Sequence, residues 1–249
     1  MKTSANRPAS TPAPSLDGGQ VARLLRPGFA LAVLGLAQLL DVLDLTIVTT
    51  ALPSMKVNLH MGSASSAWII DACALTYGSL LIFAGRLGDS LGRRRVFLAG
   101  ATLFGVASLA GGLAANGLML IIARAAQGAG GALSSACVLA ILTSSFPEGR
   151  ERTRALGVYA AVSGVGASLG LLLGGALTQA GSWRLVMFVS IPIVLLLLAL
   201  APRALPRDRG TEQAVDAGSA IGLTGSLALL IYGLLRASGR SFGDPITLS

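Results

Sequence analysis

Five polar side chains of this sequence stand inside long apolar runs, where ionisable groups are rare. Asp41 and Asp44 fall in one run, Asp71 in the next, and Arg124 with Gln127 in a later one. A charge at the centre of a bilayer costs at least about 2.5–3.5 kcal/mol on insertion scales, so such residues normally face a bundle interior or a water-filled cavity. Proton-coupled transport requires at least a carboxylate that takes and releases a proton near a fixed cation.

The spacing of these residues places them in pairs on helix faces. Asp41 and Asp44 are three residues apart, as are Arg124 and Gln127, so each pair shares one face of an α-helix. The alternative interpretation is a structural ion pair that only holds helices together. For Asp71, which stands within a turn of Trp68, the alternative is solvation near the outer interface.

The composition indicates that the apolar runs cross a membrane. Of the 249 residues, 53% are hydrophobic and 12% are charged, and the mean hydropathy is +0.73. Soluble domains carry about 25% charged residues. The net charge of +8 is spread between apolar segments, and aromatic residues make up only 5%, which argues against nucleic-acid binding. The sequence therefore predicts an all-α integral membrane protein.

The sequence predicts neither a metal site nor a bound cofactor. His60 has no zinc-binding spacing to the two cysteines, and Cys73 and Cys137 both lie in apolar runs, unlike the cysteines of a disulfide framework. No G-x-x-x-x-G-K-[ST] phosphate loop occurs, so a gradient or a partner subunit would have to power any transport. We expect no enzymatic activity.

Seven segments are long and apolar enough to span a bilayer as helices, which takes about 20 residues each. They are residues 29–52, 67–86, 96–115, 118–142, 155–179, 185–202 and 218–236. Pro53 is expected to shape the end of the first helix. The predicted units are, in order, a disordered cytoplasmic tail (1–28), a six-helix bundle (29–202), a cytoplasmic linker (203–217), a seventh transmembrane helix (218–236) and an extracytoplasmic end (237–249).

The distribution of basic residues predicts the orientation of the chain. The tail and alternate loops on one side carry fourteen Lys and Arg residues, whereas the loops on the other side carry four. Because cytoplasmic loops carry the excess of basic residues, the N-terminus is predicted to lie in the cytoplasm, with the protein in the cell membrane.

The segment between the second and third spans carries the most specific motif. It reads GRLGDSLGRRR from Gly85 to Arg95. Its glycines favour a tight turn in this loop, and Asp89 is placed to cap or pair near the start of the third helix. The string closely resembles the signature G-x-L-a-D-r-x-G-r-[KR] of the major facilitator superfamily, with Ser90 where a basic residue is usual. The residues carried over as a cytoplasmic gate motif are Gly85, Gly88, Asp89, Gly92, Arg93 and Arg94.

Further stretches narrow the resemblance to the fourteen-helix drug/proton antiporter branch. Residues 43–53 resemble the first-helix motif D-x-T-[IV]-V-N-x-A-L-P, with Thr49 in place of asparagine, and residues 124–128 match R-x-x-Q-G. Residues 166–175 look like the helix-five motif G-x-x-x-G-P-x-x-G-G, with Leu171 in place of proline. The glycines of that motif are Gly166, Gly170, Gly174 and Gly175. The sixth span begins with a similar likeness at Trp183 and Arg184.

The resemblance implies proton-coupled efflux of a hydrophobic, drug-like or antibiotic-like small molecule. It implies Asp44 as the protonation site, Arg124 as the group that tunes it or relays the proton, and Asp89 with Arg93 in the gate. Asp41 and Gln127 belong to the same predicted site, and Asp71 is a weaker candidate for cation recognition. The glycines of the fifth helix would form a sliding surface. The expected partners are the lipophilic substrate, protons, membrane lipid, and a second half or another copy.

Alternatives remain beside this interpretation. An uptake symporter would share the fold and reverse the flux. A truncated or partial chain would have no independent transport activity, because relatives continue into a second six-helix half. A light-driven pump is disfavoured, since a retinal Schiff base needs a lysine in mid-helix and only Lys2 and Lys56 occur.

Overall fold

The computed structural model describes residues 27–208 together with Gly210, Gly225, Ser226 and Leu229. Over residues 27–208 the chain folds into helices α1 (Pro27–Asn58), α2 (Ser63–Leu91), α3 (Arg93–Gly112), α4 (Gly117–Ser145), α5 (Arg150–Gln179), α6 (Arg184–Phe188) and α7 (Ser190–Ala204). The predicted tail as far as residue 26, about half of the linker, nearly all of the seventh span and the predicted extracytoplasmic end lie outside the described residues.

The six spans predicted within the described part of the chain are confirmed. Six helices there are long and apolar enough to cross a membrane, and the sixth, Arg184–Ala204, consists of α6 and α7 with Val189 between them. In lipid the backbone has no water to bind, so a helix, which satisfies its own N–H and C=O groups, is the favoured form for such a segment. The predicted all-α membrane fold is thereby confirmed.

Two predicted boundaries are wrong. The predicted loop around residues 86–95 is helical except at Gly92, because α2 continues to Leu91 and α3 begins at Arg93. Gly92 alone makes the turn, with a φ of +96° that residues with a Cβ rarely adopt. Pro53 does not end the first helix but lies inside α1, as membrane helices tolerate when neighbouring groups compensate for the lost backbone bond.

Helix α4 is held between α2 and α3 by backbone contacts at glycines. A Cβ on Gly100 of α3 would come within 2.7 Å of the Gly130 carbonyl oxygen, and a Cβ on Gly128 would overlap the Cys73 carbonyl group of α2. Small residues at such crossings let membrane helices approach closely. The position of α4, which carries Arg124, is therefore fixed from two sides.

Helix α5 packs on α1 through a stripe of three glycines. Gly166, Gly170 and Gly174 are buried and face α1 along its length, whereas a Cβ on Gly175 would meet nothing within 4 Å. Beside this stripe the two helices also share hydrogen bonds through Gln38. Its Nε2 donates to the Ser163 hydroxyl at 2.8 Å, and its Oε1 accepts from the hydroxyl of Tyr159.

Two apolar clusters meet on α1 where its carboxylates lie. One includes Leu40 and packs with Phe97 of α3, and the other includes Leu43 and Ile47 and packs with Ile69 of α2. The two carboxylates of α1, Asp41 and Asp44, thus lie where the apolar clusters meet, away from both ends of the helix.

Candidate functional site

Arg124 is the centre of a buried polar network that joins three helices. Its side chain is fully buried. The Nη1 group donates to Asp44 Oδ2 of α1 at 2.6 Å and to Gln127 Oε1 of α4 at 2.9 Å. The Nε group donates to the Ile69 carbonyl oxygen of α2 at 3.1 Å. The structure therefore brings together Asp44, Arg124 and Gln127, which the sequence analysis placed in one predicted site.

Gln127 extends the network to a fourth helix. Its Nε2 donates to the Ser108 hydroxyl of α3 at 2.8 Å and to Asp44 Oδ1 at 3.3 Å. The Ser108 hydroxyl in turn donates to the Phe104 carbonyl oxygen at 2.8 Å. Sequence reasoning did not find Ser108, because an uncharged serine inside a membrane span is common and gives no signal of its own.

Burial makes this network sensitive to the loss of either charge. Asp44 is 3% exposed and Arg124 is 0% exposed. Because water does not reach them, each charge is stabilised by the opposite charge of its partner. Removing one partner of a buried pair costs about 3–5 kcal/mol, since the other charge stays buried without compensation. Within the described part of the chain, Nη2 of Arg124 is a buried donor without a hydrogen-bond partner. The network therefore has one donor in reserve if its bonds rearrange.

Asp41 lies one turn before Asp44 but does not belong to this network. Its side chain is half-buried and accepts a hydrogen bond from the Ser135 hydroxyl of α4. A Cβ on Gly131 would lie 3.7 Å from Asp41 Oδ1 and 3.1 Å from Cδ2 of the Tyr77 ring. The carboxylate of α1 and the aromatic ring of α2 therefore flank the same glycine of α4.

Asp71 is not brought to the other polar residues. It is half-buried, and within residues 27–208 no hydrogen bond or ion pair joins it to Asp44 or Arg124. Ile69, which faces the core, stands two positions earlier, about 200° away around the helix. The side chain of Asp71 thus starts from the opposite side of α2.

The signature segment forms a compact corner at the junction of α2 and α3. Arg93 pairs with Asp89 through Nη2 and Oδ1 at 2.9 Å, and its Nη1 donates to the Ala140 carbonyl oxygen of α4 at 3.2 Å. Gly88 faces Cys137 of α4, whose Sγ would lie 3.0 Å from an added Cβ, whereas a Cβ on Gly85 would meet nothing within 4 Å.

Asp208, which sequence reasoning missed, caps this corner. Its Oδ2 accepts from the backbone N–H of Arg93 at 2.9 Å, and its Oδ1 accepts from that of Arg94 at 3.4 Å. An acidic side chain at a helix N-terminus satisfies free N–H groups and complements the helix dipole. The backbone also approaches closely, because a Cβ on Gly92 would lie 2.8 Å from the Asp208 carbonyl oxygen. The segment after α7 is thus anchored at the start of α3.

Comparison with known families identifies the chain. Residues 34–242 match the model of the Major Facilitator Superfamily. The chain belongs to the major facilitator superfamily. The family resemblance inferred from the sequence motifs is confirmed, and this superfamily consists of transporters rather than enzymes. The protein is accordingly a multi-pass membrane protein, in agreement with its six apolar helices.

Curated superfamily members similar to this chain include antibiotic resistance and export proteins. It is 44% identical to the puromycin resistance protein pur8 of Streptomyces alboniger, covering 90% of this chain and 44% of that protein. It is 42% identical to the cephamycin export protein CmcT of Amycolatopsis lactamdurans, covering 86% and 45%. With the tetracenomycin C resistance and export protein of Streptomyces glaucescens the identity is 33%, covering 96% and 44%. The chain therefore spans somewhat less than half the length of these relatives.

A solved transporter shares the superfamily fold. The peptide transporter POT, crystallised in complex with sulfate, superposes with a TM-score of 0.68 over 93% of this chain and 52% of that one. The sequence identity is 16%, so the likeness concerns the fold alone.

Proposed function

We propose that this chain takes part in proton-coupled efflux of a lipophilic, antibiotic-like small molecule across the cell membrane. The observation that carries the proposal is the buried ion pair of Asp44 and Arg124, with 2.6 Å between Oδ2 and Nη1. It provides a carboxylate that can hold a proton inside the membrane. Export as the direction is supported by relatives described as export proteins for cephamycin and for tetracenomycin C.

In this mechanism Asp44 is the protonation site. A proton on Asp44 removes the charge that balances Arg124, while Arg124 retains its bonds to the Ile69 carbonyl and to Gln127. The bond that weakens joins α1 to α4, because Asp44 lies on α1 and Arg124 on α4. Proton uptake is thereby converted into a change in the packing of two helices that face the polar network.

Transport also requires a second bundle against which this one rocks. In the most apolar stretches of α5 and α2 only 11% and 28% of the residues are buried, compared with 56% in that of α4. A second half, in the same polypeptide or in another copy, would cover part of this surface. With the N-terminus in the cytoplasm, the corner of Asp89 and Arg93 lies at the cytoplasmic entrance and holds one conformation there.

The proposal is tested in everted membrane vesicles that contain this chain co-expressed with the second half of the puromycin resistance protein. We expect puromycin to accumulate when the vesicle interior is acidified, and Asp44→Asn to abolish that accumulation. Glu148→Gln serves as a control, because it removes an exposed carboxylate just before the start of α5.

Two results would contradict the proposal. Loss of preloaded puromycin on acidification would indicate an uptake symporter. Normal accumulation by Asp44→Asn at matched protein levels would remove Asp44 from the coupling mechanism.

A further inference from the structure

Helix α1 has one exposed side between two packed sides. Asp44 is paired with Arg124 of α4, whereas Thr46 lies against Gly170 of α5. Because successive residues of an α-helix are about 100° apart, Thr49 lies about 140° around the helix from Asp44 and about 60° from Thr46. Thr49 therefore lies between the two packed sides, and it is exposed.

The exposed side of α1 beyond Asp44 is formed by three residues at intervals of four. Leu45 is 49% exposed, and Thr49 and Pro53 are exposed as well. This side begins one residue after Asp44, the proposed protonation site, and continues toward the C-terminal end of the helix. Of its three residues only Thr49 has a polar side chain.

The hydroxyl of Thr49 can act toward a ligand only as an acceptor. A threonine hydroxyl has one hydrogen to donate and two lone pairs that accept. The hydrogen of Thr49 is already used, because Oγ1 donates to the Thr46 carbonyl oxygen of the same helix at 2.7 Å. The lone pairs of Oγ1 remain for a donor that approaches from the exposed side.

Pro53 adds a second acceptor at the same residue. In an α-helix the Thr49 carbonyl would accept from the backbone N–H four residues later, but that residue is Pro53, which has no N–H. A nearby threonine hydroxyl can replace such a donor in a membrane helix, yet the hydroxyls of Thr46 and Thr50 donate to earlier carbonyls of α1. Thr49 thus presents two acceptor oxygens and no donor on an otherwise apolar side, where an unpaired carbonyl is costly.

We propose that Thr49 binds an N–H or O–H group of the transported molecule. The inference rests on the proposed function and adds a requirement on the substrate class: the molecule carries a hydrogen-bond donor, as amines, amides and alcohols do. A site that offers only acceptors discriminates against an analogue in which a methyl group replaces the donor hydrogen, because the acceptors are then left unpaired.

A cavity next to the exposed side provides room for the rest of such a molecule. Its volume is about 450 Å³, within the range of small-molecule sites, and it adjoins Pro53. None of the residues that line it is ionisable, and they combine polar with apolar groups, among them Ser54, Asn58, Thr178 and Trp183. A drug-sized molecule bound at Thr49 can therefore extend toward the C-terminal end of α1 without meeting a charge.

The experiment compares two fluorescent dyes that share a skeleton and a single positive charge. Rhodamine 123 carries N–H groups, whereas in tetramethylrhodamine methyl ester methyl groups replace those hydrogens. Because the charges are equal, attraction to Asp41 and Asp44 is the same for both dyes. Binding to the purified 249-residue chain in lipid nanodiscs is measured by fluorescence anisotropy, at one pH, without a proton gradient and with empty nanodiscs as the blank.

The deciding variant returns the missing donor to the helix. In Pro53→Ala the new backbone N–H occupies the Thr49 carbonyl, so we expect the Kd for rhodamine 123 to rise about threefold or more and that for the methylated dye to change less than about twofold. Pro202→Ala makes the same kind of change inside α7 and should bind both dyes like the unaltered chain. Thr49→Val removes the hydroxyl acceptor, should show the same selective loss, and keeps the inference testable if Pro53→Ala does not fold.

A selective loss of rhodamine 123 binding in Pro53→Ala or in Thr49→Val supports the inference. It is overturned if the unaltered chain binds neither dye, or if neither variant weakens rhodamine 123 more than the methylated dye. The second result is also expected if a side chain of the second half, and not the substrate, is the donor to Thr49. Because no gradient is present, binding is independent of the Asp44 transport test. Failure of proton-driven accumulation with selective binding intact would overturn the proposed function and leave the Thr49 site standing.

Discussion

Gly170 of α5 lies so close to Thr46 of α1 that a methyl group on Gly170 would overlap the Thr46 hydroxyl. That hydroxyl is already held in place, since it donates to the Val42 carbonyl oxygen at 2.9 Å and to that of Leu43 at 3.1 Å. Gly175, five residues further along α5, would meet nothing within 4 Å after the same change. One helix thus carries both a glycine that the packing requires and a glycine that it does not.

This pair gives a matched test of helix packing. Gly170→Ala should destabilise the folded chain by about 1–3 kcal/mol, because the extra methyl group forces α5 away from α1. Gly175→Ala should be neutral or slightly stabilising, because alanine is the better helix former. Thermal unfolding in detergent, followed with a thiol-reactive dye that reports exposure of the buried Cys137, measures both. Equal melting temperatures for the two variants would show that the close packing is absent.

The ion pair of Asp44 and Arg124 should behave as one unit in a double-mutant cycle. Asp44→Asn is expected to lower the free energy of unfolding by about 3–5 kcal/mol, because it leaves Arg124 buried without a counter-charge. Adding Arg124→Gln to that variant should restore part of the loss. Unfolding of the two single variants and the double variant provides the coupling energy. Strictly additive effects would mean that the two side chains do not interact.

The cap at the start of α3 should depend on the side-chain acceptor of Asp208. Asp208→Ala is expected to weaken the first turn of α3 by about 1 kcal/mol, whereas Asp208→Asn keeps one oxygen, which can accept the shorter of the two hydrogen bonds, that of the Arg93 N–H. Amide hydrogen exchange at Arg93 reads out the difference. Faster exchange at Arg93 in Asp208→Ala alone is the expected result, and unchanged exchange in both variants would remove Asp208 from the cap.

The orientation of the bundle can be read from the two ends of α5. Glu148 and Ala180 are both exposed and lie at opposite ends of that helix. A membrane-impermeant maleimide should label Ala180→Cys in intact cells and Glu148→Cys only after lysis, as the excess of cytoplasmic basic residues predicts. The unaltered chain, with Cys73 and Cys137 inside the spans, sets the background. The reverse labelling pattern would invert the topology.

A strictly monomeric 249-residue chain is expected to give no energy-dependent efflux. Alternating access requires two bundles that rock against each other around the substrate site, and a monomer of this chain supplies a single bundle. Ethidium retention in cells lacking their own exporters measures transport, and crosslinking measures the oligomeric state. Proton-dependent ethidium loss from a product that crosslinks only as a monomer would disprove the need for two halves.

The helices of the described residues and three members of the polar network, Asp44, Arg124 and Gln127, could be predicted from the sequence, for a physical reason. Charged residues are so costly in lipid that Asp44 and Arg124 stand out by residue type and position alone. Their direct contact could not be predicted, because helix spacing relates residues within a helix and not the rotation of one helix against another. Ser108 and the Ile69 carbonyl join the network through packing alone.

The structure of the signature segment, residues 85–95, could not be predicted from its residue types. Its glycines indicate a loop, yet only Gly92 leaves the helical conformation, because extending α2 and α3 satisfies backbone groups that a longer loop would expose. Asp208 stands 115 residues after Arg93, and a single acidic residue in a polar segment carries no sign of that distant contact. A cap of this kind can be recognised only when the positions of both Arg93 and Asp208 in the fold are known.

The glycine stripe of α5 has a translational ambiguity. Because Gly166, Gly170 and Gly174 recur every four residues, a shift of α5 by four residues, roughly 6 Å along its axis, would bring one glycine to the place of the next. The hydrogen bonds of Gln38 to Tyr159 and Ser163 have no such repeat. Gln38 therefore fixes the axial position of α5 against α1. The repeating glycines fit more than one such position, whereas the hydrogen bonds of the Gln38 amide form in the observed position.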